Sequence, residues 1–326
     1  MISVFKERNI LHIPILLILA IVLKLKFLGN GQKFTFFKSN TEGILPQWLL
    51  KNNFFQGNSG MVQLSSFILI FLSAILANWV FTKGKLSLKN NMLGGLSFIL
   101  LTSLFPATNL MSSALLTLPL IIVLYAQIIK LYNLSKPNGT IINIGLLMGA
   151  LYLLYHPLIW LLPCCLLGLS IMRPFKLNEW FLLLFSIITP VYFLFTYEYF
   201  TDNWHPERHL LSFQFSKIAY PSRMWVASLG IAVLWCIIGI GSWLGYTRRM
   251  LIQSRKNWYV LSAFGILLLP ILLLPSQNIS EGIYFICFPA SAFASYSFMN
   301  DKKKLVQNII FWLLIGFILF LGWYYS

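Results

Sequence analysis

MLGGLSFILLTSLFPATNLMSSALLTLPLIIVLYAQIIK, residues 92–130, contains no acid and a single base, Lys130, at its end. It is two apolar runs, 92–106 and 110–130, broken at Pro106. The first has only fifteen residues, whereas a helix rising 1.5 Å per residue needs about 20 to cross a bilayer. The pattern recurs at 139–155 and 157–172, around His156-Pro157. Such pairs read as tight hairpins of short helices, or as broken helices lining a cavity. Outward from them the chain continues in the same style, with runs at 9–27, 62–82, 179–199, 224–246, 258–275, 282–299 and 305–325. The predicted fold is all-α: a polytopic transmembrane bundle of about 11 spans, forming one membrane domain over residues 1–326. Pro119, Pro163, Pro190, Pro270 and Pro289 fall within runs and are expected to kink them.

Composition points the same way. Of 326 residues, 58% are hydrophobic and 10% charged, and mean hydropathy is +0.78. Soluble domains are about a quarter charged, so membrane lipid is the expected solvent for most of this chain. The net charge of +16 does not imply nucleic acid. The bases lie in short clusters between apolar runs, as anchors do, and no basic stripe interleaved with aromatics is present. Cys164, Cys165, Cys236 and Cys287 lie inside apolar runs without metal-ligand spacing and read as small buried hydrophobes. The start, with Lys6 and Arg8 before an apolar body and no small-residue cleavage site, reads as an uncleaved signal anchor.

With the N-terminus inside, 16 of the 24 Lys and Arg residues fall on inner segments, which predicts a cytoplasmic N-terminus and a periplasmic C-terminus in a bacterial inner membrane. Lys24 and Lys26, at the outer end of the first span, run against the rule and are expected to snorkel outward. The two large hydrophilic loops, 28–61 and 200–223, both fall outside, as do Glu42, Glu198, Asp202, Glu207 and Glu281. Polar chemistry is therefore expected on the extracytoplasmic face, and plain anchoring loops on the inner one.

The densest polar stretch is Tyr197–Arg223, with three of the chain's eight acids and two of its four histidines. His205 and His209 are four apart, which on a helix places both on one face. With Asp202 or Glu207 they suggest a divalent-cation site, an anion or substrate site, or simply a solvated pair. Glu198, at a span boundary, is a functional candidate by position, or a carboxylate that reaches water or pairs with a neighbouring cation. Arg208 and Arg223 suit phosphate oxygens; Arg223 beside Trp225 also fits an interfacial anchor. In the first loop, residues 45–55 pattern as an interfacial amphipathic helix. Glu42 before it reads as a general base beside an embedded substrate, or as a turn residue next to Gly43. His156 at its helix break, and Glu281 in an outer turn, either face the same cavity or are local structure.

The first loop, the run FILLTSLFPATNLMSSALLTLPLIIVLYAQIIKLYN and the following INIGLLMGALYLLYHPLIWLLPCCLLGLSIMRPFKLNEW carry a resemblance. The layout resembles GT-C-type lipid-linked glycosyltransferases, and the two runs are also similar to an uncharacterised polytopic integral-membrane family of Bacteroidota. The GT-C resemblance implies an outward cavity and transfer from a polyprenyl-phosphate-linked sugar or another envelope lipid. It places Glu42 as base and Arg208 and Arg223 as phosphate ligands. Glu198, Asp202, His205 and His209 would shape a sugar or metal site. The class often carries two close acids in the first outer loop; this chain has Glu42 alone there. Two other readings fit the sparse acids: a non-catalytic subunit of an envelope assembly, secretion or export machine, and a transporter or flippase.

Overall fold

The computed structural model describes residues 2–6, 12–29, 43, 59–87, 91–109, 111–202, 223–247, 250–272, 279–299 and 304–324. Among these residues the chain is helical and has no strand. A single turn at Ile2–Phe5 precedes α1 (His12–Gly29), α2 (Ser59–Lys83), α3 (Leu93–Ser103), α4 (Ser113–Lys130), α5 (Asn138–Leu154) and α6 (Leu161–Met172). Then follow α7 (Leu177–Phe200), α8 (Arg223–Thr247), α9 (Ile252–Leu267), α10 (Ile279–Tyr296) and α11 (Lys304–Tyr324). Each corresponds to one apolar run of the sequence. The largest shift is α9, expected at 258–275. It begins earlier because Arg255, exposed, and Lys256, half-buried, ride on its first turns. It stops earlier because Pro270 lacks the N–H that would continue it, and a 3₁₀ turn, Leu269–Leu272, follows. Pro119, Pro190 and Pro289 lie inside α4, α7 and α10. Pro163 sits in the first turn of α6, where a missing N–H costs nothing.

The centre is the short helix of the opening stretch. All eleven residues of α3 are buried, over a length of about 16 Å, against α1, α2, α10 and α11. Close approach to α2 depends on two glycines. A Cβ on Gly94 would strike the Phe81 ring, and one on Gly95 would crowd the Ala74 carbonyl. Between them Asn78 Oδ1 accepts from the Gly95 N–H at 3.2 Å. On the flank, α5 presents Gly145 and Gly149, four apart, to α7. A side chain on either would collide with Ser186 or the Ile187 carbonyl.

Burial falls steeply from centre to flank: 67% of the apolar window of α4 is buried, against 22% for α8 and 11% for α7. Phe185, Phe193 and Phe200 on α7, Leu234 on α8 and Leu313 on α11 stand largely exposed. Helices apolar all round require an apolar surrounding. Five of them, α2, α4, α7, α8 and α11, are long and apolar enough to cross a membrane.

Contacts sort the connections into two ends. At one, Met92 N–H bonds the Phe5 carbonyl, Lys6 Nζ donates to Gln307 Oε1 at 3.0 Å, Asn257 Nδ2 to the Gly84 carbonyl at 2.6 Å, and Lys256 lies over the Tyr132 ring. Arg173 and Glu179 form an ion pair there, Nε to Oε2 2.9 Å. The other end holds the turn Pro106–Asn109, the turn His156–Trp160, the close of α7 and the start of α8.

Candidate functional site

The second end carries the residues singled out from the sequence, so far as they are described. Glu198 lies half-buried in the last turn of α7. Asp202 follows it, exposed, with φ of +52°. Aspartate is among the few non-glycine residues that adopt this conformation readily. It ends the helix there, the Thr201 N–H returning to the Tyr197 carbonyl at 3.1 Å.

Arg223 opens α8 and is exposed. Two residues on, the Trp225 ring meets Phe105 with centroids 6.3 Å apart, so the start of α8 adjoins the turn Pro106–Asn109. Thr108 Oγ1 fixes that turn by bonding the Thr102 and Phe105 carbonyls, and Ser66 Oγ donates to the Asn109 carbonyl at 3.0 Å. The turn packs against α1, α2, α3 and α10.

Lys24 departs from expectation. Instead of snorkelling outward it is 2% exposed, and its Nζ donates to Asn109 Oδ1 at 2.7 Å. Hydropathy alone treats a lysine near a span end as an anchor. Here an acceptor 85 positions along the chain turns it inward.

His156 starts its turn with the ring buried, 2% exposed. The ring stacks on Tyr152 at 5.2 Å and 19°, with Nδ1 3.1 Å from the Tyr152 carbonyl. The turn packs against Leu269–Leu272, which packs in turn on α10, whose first turn includes Glu281; the Glu281 side chain lies outside what is described. Gly43 is buried across the end of α5, where any Cβ would strike the Leu153 and Leu154 carbonyls. The α10 helix thus touches both the turn of His156 on one side, through Leu269–Leu272, and the turn of Asn109 on the other.

Glu42, Glu207, His205, Arg208 and His209, and the amphipathic segment 45–55, lie outside the described residues. The divalent-cation site suggested for the histidine pair therefore does too. Among the described residues no group of three or more His, Cys, Asp or Glu side chains gathers. Cys164, Cys165 and Cys287 are buried and all four cysteines are free.

Sequence reasoning treated the opposite end as plain anchoring, and there it missed a buried polar network. Tyr125 Oη donates to the Asn257 carbonyl at 3.0 Å, and Tyr296 Oη to that of Leu86. A small cavity lies here, lined by Asn78, Ser87, Asn91, Trp258, Ser295 and Tyr296, with room for about one water. No local signal marks these residues, because their partners come from distant helices. Comparison with protein-family models, curated proteins and solved structures gave no match to this chain.

Proposed function

We propose that this chain is a multi-pass protein of the bacterial inner membrane, with a cytoplasmic N-terminus and a periplasmic C-terminus. In this reading it acts at its extracytoplasmic end as a GT-C-like transferase on a polyprenyl-phosphate-linked sugar or another envelope lipid. The observation that carries the reading is the asymmetry between the two ends. Described lysines and arginines crowd the end with the N-terminal turn, where polar side chains tie helices together. At the other end Arg223 and Asp202 are exposed, Glu198 is half-buried and Lys24 is buried, among helices whose flanks are apolar.

In this reading Glu42 removes the acceptor proton, while Arg208 and Arg223 hold phosphate oxygens. Glu198, Asp202, His205 and His209 shape the sugar or metal site, and His156 and Glu281 line the same mouth. The main catalytic effect is stabilisation of charge on the departing phosphate by arginine or a divalent cation. The scaffold positions these groups, and the apolar faces of α7 and α8 keep the lipid tail beside them.

The test is complementation of a deletion strain scored for its envelope glycan. Glu42→Ala and Arg223→Ala should fail to restore it at normal protein levels. Restoration by both would overturn the transferase reading.

A further inference from the structure

Lys24 is buried, and the described hydrogen-bond partner of its Nζ is a neutral oxygen, Asn109 Oδ1. Among the described residues no carboxylate stands within ion-pair distance of it; the pair described is Arg173–Glu179, at the other end. An ammonium has three donors, and leaving a desolvated charge with one neutral acceptor is costly. Asn109 shares the deficit. With Oδ1 turned to Lys24, its Nδ2 is buried and has no hydrogen-bond partner among the described residues. The backbone of the turn holding it is pinned at Thr108 and at the Asn109 carbonyl. Asn109 Nδ2 and the remaining Nζ hydrogens of Lys24 thus lie together without a described acceptor.

We propose that Lys24 Nζ and Asn109 Nδ2 form a binding site for the phosphoryl oxygens of a lipid phosphate. With Nζ protonated, a state that an incoming anion itself favours, the pair is donor-only and cationic; it repels metal ions and suits an anion. The phosphoryl group offers several oxygens, and a compact ammonium is a common partner for it. The pair lies about one and a half turns from the end of α1, inside an apolar bundle, so a head group placed here keeps its tail out of water. Arg223, across the Phe105–Trp225 contact, supplies a second cation at the same mouth. This inference rests on the reading that the substrate carries a lipid phosphate, and it adds two ligands that the sequence did not single out.

The test uses the full chain in detergent and isothermal titration calorimetry with farnesyl phosphate, farnesol and inorganic phosphate. The wild type should bind farnesyl phosphate more tightly than farnesol. Lys24→Met, which keeps an apolar stem of similar length, should weaken farnesyl phosphate by about 10- to 100-fold and leave farnesol unchanged. Asn109→Asp places a carboxylate against Lys24; it should raise the melting temperature and abolish phosphate binding, so the site remains testable if Lys24→Met folds poorly. Wild-type binding that survives both substitutions overturns the site and leaves the transferase reading standing. A wild type that does not prefer farnesyl phosphate over farnesol overturns that reading itself. Inorganic phosphate matching farnesyl phosphate in affinity would overturn the lipid as the source of the anion.

Discussion

Glycines on α5 and α8 give opposite predictions for one and the same substitution. At Gly149 a Cβ would meet the Ile187 carbonyl, and lie 2.9 Å from Pro190 Cγ and 3.0 Å from Pro190 Cδ. These are backbone and ring atoms, with no rotamer to yield. Overpacking of this kind costs about 1–3 kcal/mol. Replacing a helical glycine by alanine returns about 0.5–1 kcal/mol of backbone entropy. Gly149→Ala should therefore destabilise by up to about 2.5 kcal/mol net. Gly230 and Gly241 lie inside α8, where a methyl at either position would have nothing within 4 Å of it. There only the entropy gain remains, and alanine should stabilise by about 0.5–1 kcal/mol. Thermal unfolding in one detergent, followed by size-exclusion chromatography, reads the sign directly. A Gly149→Ala protein that melts at or above the Gly241→Ala protein would refute the close packing of α5 on α7.

Arg173→Ala leaves Glu179 buried without its partner and should cost about 3–5 kcal/mol in the same unfolding assay. Arg173→Met combined with Glu179→Leu should cost less, and equal losses would show that the pair is not coupled. Cysteines at Asp202 and Lys176, both exposed, test orientation: an impermeant maleimide should label Asp202→Cys in intact spheroplasts and Lys176→Cys only after lysis, and the reverse pattern would invert the proposed topology. Asp202→Gly should melt like the wild type, because glycine adopts φ of +52° freely, whereas Asp202→Val should lose about 1–2 kcal/mol. If Asp202→Gly also complements the deletion strain, the carboxylate serves only to end α7.

The helices were legible because hydropathy is local. Each apolar run became one of the described helices, and prolines at 106, 157 and 270 marked the breaks. Helix packing was less legible. Gly145 and Gly149 are spaced to face one neighbour, but nothing in their surroundings names α7 as that neighbour. Lys24 shows the same limit at the site. Its inward turn depends on Asn109, and that contact exists only once α1 and the turn after α3 are side by side. Glu198, Asp202, Arg223 and the turns of His156 and Asn109 share an end of the bundle because successive helices reverse direction, which the order of apolar runs already implied.

What distinguishes that end is how its cations are engaged. At the lysine-rich end, Asn78, Tyr125, Asn257 and Tyr296 each bond a backbone group on another helix or its connection, and Arg173 has both a carboxylate and the Leu134 carbonyl. Substituting any of them should lower stability before it touches a reaction. At the other end Arg223 is exposed, and Lys24 is held by an amide whose own Nδ2 lacks a partner among the described residues. Groups left in this state contribute little to folding, and Lys24 opposes it. A buried lysine that opposes folding has a physical reason to be present if an anion completes it, which is why Lys24→Met should gain stability where it loses phosphate.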